Sequence, residues 1–252
     1  MTGGLTCDRF LGGRLTIRQP AKGYRAGVDP VLLAASVPAD PGQSVLELGC
    51  GVGVASLALQ ARVGGLDLIG LEMQPAYADL ARRNAAENRL AMQVITGDLA
   101  DMPKQLRARR FDHVIANPPY HQRSGGTAAD DAGRETALAG ATPLSAWIDA
   151  ATRRLAPKGV LSVIQRAERL PDLLAACDGR LGGIRVLPLA PRQGKAATLV
   201  LLRARKGARG AFGLLAPVVL HQGTRHERDG ESYTAQIRAI LRDGMQLQVE
   251  WR

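Results

Sequence analysis

The sequence predicts a single α/β domain: a mainly parallel sheet with helices on both faces and one antiparallel strand near its C-terminal edge. Three observations carry that prediction. Apolar runs alternate with helix-like stretches from residue 44 to residue 116, the pattern of parallel strands joined by crossover helices. The first of these runs passes straight into a glycine-rich turn and then into a helix, as a strand-turn-helix unit does. Much later, Ile184–Leu189 and Ala197–Leu202 are separated only by APRQGKA. That loop is too short for a crossover helix, so the two runs pair antiparallel.

Taken in order, Arg14 to Gln19 reads as a strand, and Asp29-Pro30 as the cap and first residue of a short helix. Strands follow at Ser44–Leu48, Leu66–Leu71, Met92–Thr96 and Phe111–Ala116, with helices over 54–63 and 75–89 between the first three. The rhythm continues with a helix over Leu144–Leu155, a strand at Gly159–Ile164 and a helix from about Ala167 to Leu181. Beyond the antiparallel pair, ARKGARGAF is a basic loop, and Tyr233–Leu241 carries apolar residues at helical spacing. Residues 1–40 are expected to form an extension packed on a core domain spanning 41–252.

With 252 residues, 46% of them apolar and 22% charged, the chain has ordinary globular usage and can bury a sizeable core. No apolar run approaches the roughly 20 residues of a bilayer span. The segment MTGGLTCDRFLGG lacks the apolar centre of a signal peptide, so the cytoplasm is the expected compartment. Cys7, Cys50 and Cys177 are scattered without CxxC pairing, and the four histidines show no ligand spacing. Neither a disulfide framework nor a metal is expected. The 33 basic residues against 23 acidic ones give a formal charge of +10, with arginine the commoner base. Guanidinium groups pair with phosphate and stack on bases, so a nucleic-acid partner is favoured.

The strand Val45-Leu46-Glu47-Leu48 runs into Gly49-Cys50-Gly51-Val52-Gly53, where glycines permit a tight turn and the close approach of a ligand. A dinucleotide fingerprint wants Gly or Ala where this chain has Val54, so nicotinamide and flavin cofactors are disfavoured. The next strands end at Glu72 and at Asp98. Three acids closing three successive parallel strands at the carboxyl edge are a ligand-binding arrangement. Glu47 and the glycines would face a cationic portion of the ligand, Glu72 a ribose and Asp98 an adenine amino group. Over roughly residues 40–205 the chain resembles the class I S-adenosylmethionine methyltransferases, with their Rossmann-like fold. The resemblance implies a seven-stranded sheet, S-adenosylmethionine as cofactor, and Cys50, Met73 and Leu99 as adjoining cofactor contacts.

The strand Phe111–Ala116 ends in Asn117-Pro118-Pro119-Tyr120. Asn117 offers an amide oxygen, the Pro118 carbonyl is a second acceptor beside the rigid Pro119, and Tyr120 is an aromatic plate. Both N–H bonds of a planar amine could thus be accepted, its lone pair turned toward a methyl donor and its ring stacked. If the ring alone matters, Tyr120→Phe should be nearly silent. No histidine-type base is required, and a base inside a helix would have to flip out to reach such a site. The motif at this strand resembles that of amino-group methyltransferases acting on adenine in DNA or RNA, and of those acting on the glutamine amide of release factors.

The flanks choose among these. Leu15 to Pro20, Gly23-Tyr24-Arg25 and Gly27 to Ala34 resemble the start of the bacterial tRNA(Val) adenine-N6 methyltransferases, which modify the adenine 3′ of the anticodon. The chain departs from that family's Thr-Asp-Gly pattern at Val28 and Pro30, leaving Asp29 as an expected lid or cofactor-side contact. The ending Glu231-Ser232-Tyr233-Thr234 also resembles the family. Release-factor enzymes usually carry a substantial helical region before this core, whereas about forty residues precede it here. Lys22, Tyr24, Arg25 and Arg123 flank the expected entrance and are the candidate RNA contacts. The polar loop from His121 to Arg134 is a candidate cover for the target base.

Overall fold

Near-continuous apolar runs along the central strands bury both faces of the main sheet in the computed structural model, which describes residues 4–120, 142–223 and 232–251. A hairpin of β1 (Leu5–Phe10) and β2 (Leu15–Pro20) leads to helix α1 (Asp29–Ser36). Then come β3 (Ser44–Leu48), α2 (Val54–Val63), β4 (Asp67–Glu72), α3 (Pro75–Glu87), β5 (Gln93–Thr96), α4 (Lys104–Arg107) and β6 (Phe111–Ala116). The described chain resumes with α5 (Leu144–Arg154), β7 (Leu155–Arg166), α6 (Leu170–Ala176), β8 (Leu181–Ala190) and β9 (Leu199–Lys206). It closes with β10 (Gly213–Leu214), β11 (Val218–Val219) and α7 (Ala235–Asp243).

The main sheet runs β10-β8-β9-β7-β6-β3-β4-β5, with β11 also on β8. Only β9 is antiparallel to its neighbours, as the short loop before it requires. The sheet therefore has nine strands among the described residues, not the expected seven. The extra two are two-residue strands parallel to β8, too short to leave a periodic signal. β1 was likewise unforeseen, because none of its residues is buried. The helix expected to reach Leu181 is shorter: a 3-10 turn precedes α6, which stops at Ala176. There Asp178 accepts from the Arg180 N–H, and the Leu181 N–H donates to the Asp178 carbonyl, turning the chain into β8.

Val45, Ile115 and Ile164 face α1, α2 and α7, whereas Leu46, Val114 and Leu161 face Trp147 and Ile148 of α5 and Leu173 of α6. Each fully buried aliphatic side chain contributes roughly 1.5–3 kcal/mol. Leu15 and Ile17 of β2 join the same cluster as α1 and α2. Asn84 and Asn88, a helical turn apart at the end of α3, bind the backbone of Arg18 and Thr16 respectively at 2.7–3.1 Å. These amides satisfy the exposed edge of β2 and hold the hairpin against α3. The chain runs outward from β3 to β4 and β5, then returns to place β6 on the other side of β3. Ligand crevices open at such a switch point, here between the ends of β3 and β6.

Candidate active site

Left-handed backbone makes the turn after β3 possible: Gly49, Gly51 and Gly53 have φ of 63°, 54° and 90°, a region open to glycine at little cost. A Cβ on Gly49 would stand 2.5 Å from the indole of Trp147. The Cys50 N–H donates to the Leu71 carbonyl at 3.0 Å, tying the turn to β4. The Gly51 N–H donates to Glu72 Oε2 and the Gln74 N–H to Glu72 Oε1, both at 2.9 Å. Glu72 is thus aimed by two backbone amides and keeps lone pairs for further donors, while burial raises its carboxyl above the usual range.

Glu47 is buried at the end of β3 and accepts from the Ser56 N–H at 3.0 Å and from the Ser56 hydroxyl. It therefore caps the first turn of α2 from the strand. Burial pushes its carboxyl up to about 8 against those hydrogen bonds. Burial also lifts the Cys50 thiol well above its ordinary range. Asp98 accepts from the Ala100 N–H at 2.8 Å.

These groups line one cavity of about 480 Å³. From the turn come Glu47, Gly49, Cys50 and Gly51; from the ends of β4 and β5 come Glu72, Met73, Asp98 and Leu99. Asn117, Pro118, Pro119 and Tyr120 close the side beyond β6, and Tyr24 with Arg25 stands at the hairpin side. The Asn117 Oδ1 is buried, with no hydrogen-bond partner among the described residues. The Pro118 carbonyl already accepts from Gln165 Nε2 at 3.2 Å, which fixes it and leaves one lone pair. The Tyr120 hydroxyl donates to Asp29 Oδ2, and burial with that carboxylate keeps the phenol well above its usual range. Arg166 of β7 lies over the Tyr120 ring, 4.9 Å from its centroid.

Four expected residues stand apart. Gly53 starts α2 and does not line the cavity. Asp29 does not line it either; it holds Tyr120 from behind and is the first residue of α1, the cap falling on Val28. Lys22 is exposed and away from the lining. Arg123 and the 121–134 cover lie outside the described residues. Arg25 is at the mouth, with Asp8 on its guanidinium at 2.7 Å. The sequence reading missed Trp147, Gln165 and Arg166. Trp147 is brought to Gly49 by α5 from the far face, a contact with no local signature, and Gln165 looked like an ordinary residue of an apolar strand.

A cavity of this size is within the roughly 300–1,000 Å³ of small-molecule sites. Its glycine floor and amide-aimed carboxylate suit an elongated ligand carrying a ribose, with one orphaned acceptor left for a second molecule. Fold and site define a class, the methyltransferases that use S-adenosylmethionine. The sequence model of the methyltransferase small domain matches residues 27–181, and the chain belongs to that family.

Its relatives include the tRNA1(Val) (adenine(37)-N6)-methyltransferase of Porphyromonas gingivalis, 33% identical over 196 residues, which cover 72% of this chain and 76% of the relative. The enzyme of the same name from Dickeya chrysanthemi is 30% identical over 249 residues, 96% of this chain and 94% of the relative. A solved structure of a predicted O-methyltransferase from Agrobacterium tumefaciens is similar with a TM-score of 0.70 at 28% identity, covering 87% of this chain and 98% of that one. Among the described residues no acidic, histidine or cysteine group is placed to hold a metal, and no helix is long and apolar enough to cross a membrane.

Proposed function

We propose that the chain transfers a methyl group from S-adenosylmethionine to the exocyclic N6 of an adenine in RNA, with tRNA as the substrate and the adenine 3′ of the tRNA(Val) anticodon as the target. The reaction takes place in the cytoplasm. The observation that carries this reading is the buried Asn117 Oδ1 at the cavity wall beside the glycine turn, unpartnered among the described residues. Two relatives named for this activity support the choice of adenine in tRNA.

S-adenosylmethionine supplies a methyl group made electrophilic by its sulfonium. The chain's own groups bind and orient. Glu72 accepts from ribose hydroxyls, Asp98 from the cofactor's adenine amine, and Glu47 with the turn faces the methionine end. Asn117 Oδ1 and the free lone pair of the Pro118 carbonyl take the two N–H bonds of the target amine. Its nitrogen lone pair is then turned toward the turn, and Tyr120 stacks against the flipped ring. No side-chain base is needed, because the nitrogen becomes cationic on methylation and its acidic proton passes to water by way of the Asn117 and Pro118 acceptors.

Incubation with labelled cofactor and, separately, tRNA, rRNA, DNA and release factor, followed by digestion, tests the proposal. Label in N6-methyladenosine from tRNA is expected. Label in glutamine, in DNA or in another nucleoside would overturn it.

A further inference from the structure

The carboxyl edge of the sheet is divided by charge. Its β3-β4-β5 half carries Glu47, Glu72 and Asp98, all lining the cavity. The other half, at the ends of β7 and β8, carries Arg166, Arg169, Arg192 and Lys195 against the acids Glu168 and Asp172. Of these, Arg169 is paired with Asp172 at 2.8 Å, and Arg192 is bound to the Gln222 carbonyl and the Ser232 hydroxyl. Arg166 and Lys195 make no ion pair among the described residues.

The two cations belong to one rigid stretch of edge. The Ala167 N–H donates to the Thr198 carbonyl at 3.0 Å and the Lys195 N–H to the Arg192 carbonyl at 3.1 Å, so the β8-β9 loop is bound to the end of β7 and closed on itself. Lys195 is exposed at the tip of that loop. Arg166 sits on the outer side of Tyr120, within one residue of Gln165, which fixes the Pro118 carbonyl. A guanidinium beside the aromatic plate with no ion pair among the described residues, and an exposed ammonium further along the same edge, are groups for a phosphodiester chain.

We infer that the RNA backbone crosses the enzyme along the β7-β9-β8 half of the carboxyl edge, with Arg166 on a phosphate next to the target nucleotide and Lys195 on one further along. This rests on RNA being the substrate. It differs from the entrance expected from sequence, where Arg25 is already on Asp8 and Lys22 stands away from the cavity lining.

The experiment uses the full chain and an anticodon stem-loop of tRNA(Val), with affinity measured against salt for wild type, Arg166→Ala, Arg166→Lys, Lys195→Ala and, as a control at the opposite end of β7, Lys158→Ala. Arg166→Ala and Lys195→Ala should each reduce the slope of log affinity against log salt by roughly 0.7–0.9. Arg166→Lys and Lys158→Ala should keep the wild-type slope. Lys195→Ala should raise KM for the RNA and leave kcat and cofactor affinity unchanged. Wild-type slopes in both alanine variants, or an equal loss in Lys158→Ala, would overturn the inference while RNA methylation by the wild type still stood. Absence of transfer to any RNA by the wild type would instead overturn the reading on which it rests.

Discussion

Leaving a buried carboxamide oxygen without a donor costs about 1–3 kcal/mol, and Asn117 Oδ1 stands in that state among the described residues. Other buried polar atoms, such as Ser162 Oγ and His113 Nδ1, are also unpartnered among the described residues, but of these residues Asn117 alone lines the cavity. Asn117→Ala removes the orphan, so the thermal midpoint should hold or rise, while single-turnover methyl transfer falls ~10²-fold or more and cofactor affinity stays near wild type. A lower midpoint with near-normal transfer would mark Asn117 as structural. Tyr120 calls for a different expectation from the one its ring suggested. Its hydroxyl is bound to Asp29 at the start of α1, and a hydrogen bond to a charged group is worth about 1.5–3 kcal/mol. Tyr120→Phe should therefore lose about that much stability in urea titrations and loosen the motif; an unchanged midpoint would return the role to the ring alone. Glu47 gives the pH dependence. Its carboxyl, up from 4.5 to about 8 in the fold, binds a proton the unfolded chain releases, so its contribution is full below pH 4.5 and is lost as pH rises to about 8. Between pH 5 and pH 8 the wild type should lose stability relative to Glu47→Gln. Parallel curves for the two proteins would show that Glu47 is ionised in the fold.

At the scale of elements, the β3-turn-α2 unit is held by a contact from another layer. Ala at Gly49 must adopt a φ near 63° and place its Cβ 2.5 Å from Trp147. Gly49→Ala should cost roughly 1–3 kcal/mol of stability through overpacking and reduce cofactor affinity, with Trp147→Leu restoring part of both in calorimetry. No recovery in the double variant would show that backbone strain, and not the indole, sets the cost. This unit also shows what a sequence makes visible. β3, α2 and β6 were legible to the residue because each is a local apolar pattern ended by glycine or by Pro-Pro. The turn, the strand-end acids and the Asn-Pro-Pro-Tyr segment were legible for the same reason. What arrives across space was not. Trp147 reaches Gly49 from the opposite face, and Gln165 reaches Pro118 from the next strand. Asp29 reads as a cap until the fold brings Tyr120 to it. β1, β10 and β11 are half-exposed or two residues long, and periodicity needs burial and length to show.

Over the whole molecule, a formal charge of +10 announces a polyanionic partner without saying where it sits. The structure shows why composition is silent on place: many arginines are spent on carboxylates and on carbonyls, as Arg154 is on those of Leu106 and Arg107. What remains uncompensated is a matter of position, not of number. The two ligands of the enzyme should consequently respond differently to salt. On the proposed reading the cofactor sits in a recessed cavity whose ribose-side acid, Glu72, is buried, and buried charges are little screened. RNA in the inferred position would lie across solvated cations and release a counterion for each phosphate neutralised. The two contacts proposed give a slope of roughly −1.4 to −1.8, a loss of roughly sevenfold to twelvefold in RNA affinity between 50 and 200 mM salt. Cofactor affinity should change by less than about twofold over the same range. Calorimetry for the cofactor and filter binding for tRNA, run on the same preparation, measure both. A tRNA affinity that ignores salt would mean that the positive charge is no docking surface and that the substrate is held by the pocket alone.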